Sequence, residues 1–204
     1  MRFVVITDNN IPSALSTVEG IEWVAVNNPT EALAVKNAAA WFDLRDEAYK
    51  ADHSASEAPV FINSVTIPLS EVVGGGNIIR VNGWSGFLEK DTWEIVGEVN
   101  EKAENALKAL GKKYIRVNDE PGLVSARILS MIINEAFFAE EEKVSSREEI
   151  DIAMKLGTNY PWGPFEWAEK IGLKNIYALL EKLSLTDPRY TPSTGLKNAA
   201  TIKN

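Results

Sequence analysis

Two periodicities divide this chain, and the change between them constrains the fold more than any single motif. Up to about residue 117, short runs rich in Val, Ile, Phe and Trp recur: "RFVVIT" (2–7), "IEWVAV" (21–26), "AAWFDLR" (39–45), "APVFINSV" (58–65), "NIIRVNGW" (77–84), "TWEIVGE" (92–98) and "KKYIRVN" (112–118). Runs this short and this β-branched read as strands. Brief helical stretches separate them: "IPSALSTVEG", closed by Gly20, and "NPTEALAVKNA", with a capping-type start. "PLSEVV" offers a turn or two of helix, "GGG" (74–76) a loop, and "NEKAENALKALG" an amphipathic helix ended by Gly111. Such alternation predicts an α/β domain with a largely parallel sheet, in reduced form because the helices are brief.

After Asn118 the pattern is helical only. "EPGLVSARILSMIINEAFFAEEEK" (120–143) is expected as one long helix with Pro121 in its first turn, where a missing N–H costs nothing. Ser146 and Glu149 form a capping box for the next helix, which Gly157 should end. Pro164 opens a third that stops at Gly172, and "LKNIYALLEKLS" is a fourth. From "LTDPRY" onward the polar, Pro- and Gly-punctuated chain is expected as a surface tail. The boundaries place an α/β domain over 1–117 and a helical domain over 118–204.

Charge and cysteine content exclude several function classes. Lys plus Arg is 21 and Asp plus Glu is 29, a formal charge of −8, which opposes general binding to nucleic acid. No cysteine is present, which removes disulfides, thiolate metal sites and thiol nucleophiles and is compatible with a reducing cytosol. The start, "MRFVVITDNN", does not read as a signal peptide, and no apolar run approaches the ~18 residues of a spanning helix. A cytoplasmic protein with no membrane partner is expected.

Several residues invite a chemical role. The first strand runs into "TDNNIPSA", where a dinucleotide fold would place a glycine-rich turn; Asp8 stands there instead, a carboxylate where phosphates would sit. Asn27 and Asn28, after the second strand, are a ribose contact or, more ordinarily, cap and turn residues. His53 is the only histidine; in the polar stretch "KADHSASEAP" it is expected as a solvated loop residue. With no second histidine and no cysteine, a zinc site is not expected. Alternation puts Thr92, Glu94 and Val96 on one strand face, so Glu94 is either exposed or a partly buried acid–base group. "YPWGPFEWAE" (160–169) reads as a rigid aromatic turn, or as one wall of an acyl site.

One stretch carries a specific resemblance. Asp119, Pro121, Gly122, Arg127, the run Asn134–Glu135–Ala136, then Ile150, Asp151, Ala153, Met154, Gly157, Pro161, Gly163 and Pro164 resemble the C-terminal helical domain of the 3-hydroxyacyl-CoA dehydrogenases. "DPRYTPSTGLK" (187–197), "FINSVTIPLSEV" (61–72) and "TWEIV" (92–96) resemble further landmarks of that family. The resemblance implies a reduced Rossmann-like domain for NAD, a His–Glu pair that removes the hydroxyl proton, and a Ser and an Asn that hold the substrate oxygen. Carried over residue by residue, the His position falls at Asn82, the Glu at Glu94, the Ser near Thr66 and the Asn at Ala126. Glu94 alone keeps its family identity. The expectation is therefore a catalytically impaired relative that binds an acyl-CoA-like ligand or a partner, with no cofactor, and that dimerises through its helical domain. The alternatives are an active NAD(P)-dependent oxidoreductase with non-standard cofactor binding, for which "VVGGGN" (72–77) is the one Gly-rich stretch, and a structural assembly protein.

Overall fold

The structure, a computed structural model, describes residues 1–8, 10–74 and 77–201. Two of the glycines expected in a loop at 74–76 lie outside the described residues. The chain forms two compact units, Met1–Leu123 and Val124–Asn204.

In the first unit, β1 (Arg2–Ile6), β2 (Glu22–Val26), β3 (Ala40–Asp43), β4 (Val60–Asn63), β5 (Ile78–Val81), β6 (Thr92–Val96) and β7 (Lys113–Arg116) form one sheet in the order β2-β1-β3-β4-β5-β6-β7. Every neighbouring pair is parallel except β5 with β6. The chain steps to one side of β1 for β2 and to the other for β3. That reversal is the topological switch point, outside which open parallel sheets bind their ligands.

The central strands are continuous apolar runs because both faces are covered. On one face Phe3, Val5, Phe42, Phe61 and Ile79 pack with Leu15 of α1 (Ser13–Ser16) and with Ala103, Ala106 and Leu107 of α3 (Glu101–Ala109). Phe42 stacks on Phe61 with ring centroids 4.9 Å apart. On the other face Val4, Ile6, Trp41, Val60, Ile62 and Ile78 pack with Ala32 of α2 (Pro29–Leu33) and Ala48 of a single 3-10 turn. With helices of four and five residues before β2 and β3, the crossovers are as short as the sequence implies.

A charged side chain interrupts the core. Arg80, in β5, has a fully buried side chain. Its Nε donates to the Ser64 carbonyl, its Nη2 to the Val65 carbonyl at 2.6 Å, and its Nη1 to Asp119 Oδ1 at 3.0 Å. Asp119 also accepts from the backbone N–H of Leu69 at 2.7 Å and of Ser70 at 2.9 Å. One guanidinium thus ties the loop after β4 to the chain leaving β7, and Gly122 N–H adds a 2.7 Å bond to the Val65 carbonyl.

The second unit is all helical: α4 (Ser125–Glu141), α5 (Arg147–Thr158), α6 (Pro164–Ile171), α7 (Leu173–Ser184) and α8 (Thr194–Thr201). Three expectations need correction. The long helix begins at Ser125, because Gly122 and Leu123 take φ of +83° and +51°; Pro121 lies within the turn that the Leu123 N–H closes on the Glu120 carbonyl at 3.1 Å and does not open the helix. Gly157 lies inside α5, which closes on Asn159 at φ +56°. The tail is not a loose surface segment: it carries α8 and buries Tyr190, Leu196 and Ala200. Asn134, buried on α4, holds it with both ends of its amide, accepting from Ser193 N–H at 2.8 Å and donating to the Thr191 carbonyl at 3.0 Å. The expected capping box at Ser146 and Glu149 is present.

Removing Asp119 leaves a buried cation and two backbone donors without their carboxylate. Asp119→Ala is expected to lower the unfolding free energy by about 3–5 kcal/mol, the range for breaking a buried pair. Urea denaturation checks it; a loss well under about 1 kcal/mol, the scale of a surface pair, would show that Arg80 is satisfied without Asp119.

Candidate functional site

In an open parallel sheet, ligands bind at the carboxyl edge of the strands. A cavity of about 590 Å³ opens at the amino edge, lined by Met1, Ala39, Trp41, Ala58 and Lys102 among others. None of the candidate residues named above lines it. Asp8, Asn27, Asn28, His53, Thr66, Asn82 and Glu94 lie toward the opposite, carboxyl edge of β1–β5, whereas Ala126 and the aromatic turn at 160–169 belong to the second unit.

At the β5–β6 end, Arg80 pairs with Val96 and Val81 with Ile95 in antiparallel register. One step further along the same register, Asn82 comes opposite Glu94. Asn82 is buried and its Oδ1 accepts the Trp84 N–H at 3.2 Å; Glu94 is half-buried. Asn63, at the end of β4, accepts the Gly83 N–H at 3.2 Å, and a Cβ on Gly83 would lie 2.7 Å from the Asn63 side chain, so this close approach needs glycine. Thr66 is half-buried in the loop after β4, where the Ser64 hydroxyl donates to the Ile67 carbonyl at 2.7 Å and Arg80 holds Val65. Asn82, Glu94 and Thr66 therefore share one edge. Ala126 belongs to the second unit, where it is fully buried near the start of α4 with Ser130 and Asn134 following at intervals of four.

At the β1–β3 end the chemistry differs from expectation. His53 is not solvated: its side chain is fully buried and Nε2 lies 2.9 Å from Asp43 Oδ2. The polarity of its neighbours in sequence misled, because the loop folds back onto the end of β3. Asp43, equally buried, also takes a fork from Arg45, with Nε at 2.8 Å from Oδ1 and Nη2 at 2.6 Å from Oδ2. Burial alone would raise the Asp43 carboxyl, but the bonds from Arg45 and His53 outweigh it and hold it below its ordinary value. The Asp43 hydrogen bond, against partial burial and helped by the charges of Asp43 and Asp8, holds Arg45 above its ordinary value. Sequence reading missed this triad. Its signal was Asp43-x-Arg45, two opposite charges ending an apolar run.

After β2, Asn28 caps α2, its Oδ1 accepting the Glu31 N–H at 2.9 Å. Glu31 in turn accepts from Asn27 N–H at 2.9 Å and from Asn28 Nδ2 at 2.8 Å, so the two asparagines serve the helix start. Among the described residues no cluster of three metal-ligating side chains occurs, and no helix is long and apolar enough to cross a membrane.

A mostly parallel sheet with its switch point at β1, polar groups along its carboxyl edge and an all-helical second unit define a Rossmann-like scaffold followed by a helical unit. Comparison with known proteins narrows this. Residues 122–203 match the family model "3-hydroxyacyl-CoA dehydrogenase, C-terminal domain". A probable 3-hydroxybutyryl-CoA dehydrogenase of Deinococcus radiodurans is 41% identical over 140 residues, 67% of this chain and 44% of that protein. One from Bacillus subtilis is 33% identical over 142 residues, 64% of this chain and 50% of that protein. The solved (S)-3-hydroxybutyryl-CoA dehydrogenase of Ralstonia eutropha superposes with a TM-score of 0.64 at 26% identity, over 87% of this chain and 69% of that one. These matches support the chain as a divergent member of the 3-hydroxyacyl-CoA dehydrogenase family, with the family model resting on residues 122–203. The chain spans about half the length of these two curated relatives.

These matches overturn the expectation of no cofactor. The relatives are dehydrogenases, which need a hydride acceptor, and NAD rather than none is what the family implies. The physical reason for the error is visible. The missing glycine-rich turn and the Asp8 carboxylate together argue against phosphates at the end of β1, but Arg45 at the neighbouring strand end lies within reach of the Asp8 charge. The edge fits a dinucleotide through the switch point and this cation, although the glycine-rich turn is absent.

The Asp43 cluster sets a pH dependence. A carboxyl depressed in the folded state stabilises it fully above the unfolded value of about 3.9 and loses that contribution as pH falls through the folded value. The stability gap between the unmodified chain and Asp43→Asn is therefore expected to shrink as pH falls below about 4. Urea unfolding across that range checks it; a gap that widens on acidification would contradict the assignment.

Proposed function

We propose that the chain is a 3-hydroxyacyl-CoA dehydrogenase-type protein of the cytoplasm that binds a nicotinamide dinucleotide at the carboxyl edge of β1–β3 and an acyl-CoA-like ligand, and that its oxidation of 3-hydroxyacyl groups is impaired. One observation carries this reading. The single imidazole of the chain is buried against Asp43 at the end of β3, while an amide, Asn82, stands across from Glu94. Oxidising a secondary alcohol requires a group that takes the hydroxyl proton as the hydride departs. NAD, when bound, supplies the hydride acceptor. An imidazole takes a proton near neutral pH and an amide does not. Glu94 can orient a base or a substrate hydroxyl, and Thr66 can offer one hydroxyl to a substrate oxygen. Ala126 offers no polar atom where the family resemblance places an amide.

Loss of a positioned general base costs about 10²–10⁴-fold. Oxidation of 3-hydroxybutyryl-CoA with NAD or NADP, followed by absorbance of the reduced cofactor, is expected to run at least about 10²-fold below the rate of the Bacillus subtilis relative. A comparable rate that falls on Glu94→Gln would overturn the impaired reading. It would favour the second one, an active oxidoreductase with non-standard cofactor binding, which the nearness of Arg45 to Asp8 supports.

The proposal includes a homodimer through the helical unit. Val124 and Ile128 on or beside α4 are 47% and 53% exposed, and Ile152 and Leu156 on α5 are 52% and 83% exposed. Each pair is spaced by four residues, which puts its members on one helix face. Solvent-facing apolar side chains in such clusters are the usual mark of an interface. Sedimentation equilibrium at tens of micromolar is expected to give a dimer, and Leu156→Asp with Ile128→Asp a monomer that stays helical; a monomeric unmodified chain would remove the assembly from the proposal.

A further inference from the structure

The dinucleotide reading leaves open what replaces the glycine-rich turn. That turn ordinarily lets backbone N–H groups reach a pyrophosphate at a helix N-terminus. Here the loop after β1 leads into α1, a helix of four residues with no side-chain cap at Pro12. A helix this short offers little dipole and few aligned donors, so the phosphate partner has to be sought elsewhere on the edge.

β3 is the strand beside β1 at the switch point, and its end carries Asp43 and, two residues on, Arg45. The Asp43 side chain is fully buried and that of Arg45 is 18% exposed, so the guanidinium is the member of the pair that reaches solvent. An arginine has five N–H bonds. Two go to Asp43 through Nε and Nη2, and a third points from Nη1 to the Asn27 carbonyl at 3.4 Å, the outer limit of a hydrogen bond. Two remain, on a planar group whose orientation Asp43 fixes. His53, bonded to the same carboxylate from the buried side, prevents Asp43 from turning away. The carboxylates that face Arg45 are Asp43, which holds it, and Asp8, which is exposed and therefore screened by water and salt.

We propose that Arg45, braced by Asp43 and His53, is the phosphate-binding residue of the dinucleotide site and stands in for the missing glycine-rich turn. This rests on the dinucleotide reading given above. A fixed guanidinium plane recognises a phosphate through paired charge-assisted N–H bonds. The buried Asp43–His53 pair supplies the rigidity that a flexible surface arginine lacks.

The test is fluorescence titration of the full chain with NADH across a range of salt concentrations. Arg45→Ala is expected to weaken NADH by about tenfold or more, the scale of a hydrogen bond to a charged group. It is also expected to flatten the dependence of affinity on salt, because one phosphate contact is gone. Arg45→Lys, which keeps the charge without the fork, is expected to retain the salt dependence and to bind NADH several-fold more weakly than the unmodified chain. It decides the matter should the alanine variant fail to fold. NADH affinity unaffected by both substitutions would overturn the Arg45 assignment alone. So would a loss of affinity on Arg45→Ala with the salt dependence unchanged, which marks a merely structural role. An unmodified chain that does not bind NADH would overturn the dinucleotide reading and the assignment together.

Discussion

Arg80 is the constraint on which the rest of the first unit's chemistry depends. A guanidinium in a fully buried position cannot shed its charge, so it must be surrounded by acceptors. It is given two carbonyls of one loop and a carboxylate of another. Burial pulls Arg80 below its ordinary value, and the nearby Asp119 charge opposes that. The consequence is geometric. The segment that carries Ser64, Val65 and Thr66 cannot move without breaking a buried ion pair, and neither can the exit from β7. The floor of the carboxyl edge is therefore built from a short stiff loop, with Asn63 and Gly83 locked beside it.

At the other end of the same edge a second carboxylate, this one fully buried, plays a similar part. Asp43 is held by Arg45 and His53, as Asp119 is held by Arg80 and two backbone donors. Both carboxyls are depressed although burial alone would raise them. The difference lies in exposure. Arg80 is sealed and serves the fold, whereas Arg45 reaches solvent where the strand order reverses. In a chain with very short crossover helices, side-chain charge at the strand ends takes over part of the work that helix termini do in a fuller version of the fold.

The sheet was legible in the sequence because its strands are buried on both faces, which leaves continuous β-branched runs bounded by turn residues. The capping box at Ser146 and the start of α6 at Pro164 were legible for the same reason: a local side chain fixes them. What failed was non-local. His53 lies among Ala, Asp and Ser in the chain, and only the return of its loop to β3 buries it. The tail after Leu185 is polar in composition, yet Asn134, about sixty positions earlier, holds it through two backbone bonds. Pro121 suggested a helix start by its type, but the left-handed residues after it postpone the helix to Ser125. At the site, the shared edge of Asn82, Glu94 and Thr66 follows from strand register, whereas the Asp43–Arg45–His53 cluster needed three dimensions.

Asn82 and Ala126, where the family resemblance places a histidine and an asparagine, each suit their surroundings. Functional groups are kept at a cost to stability, in unsatisfied polar atoms or perturbed charge, and positions freed from function drift toward local optima. Asn82 uses its carbonyl oxygen to satisfy the Trp84 N–H in a tight turn, a structural task for which an asparagine is well suited. Ala126 puts a small apolar side chain at a fully buried helical position and introduces no polar atom that needs a partner. Arg45 runs the other way. Its fork satisfies the buried Asp43, yet its outer face reaches solvent on the edge where ligands of this fold bind, and satisfying Asp43 does not account for that outer face.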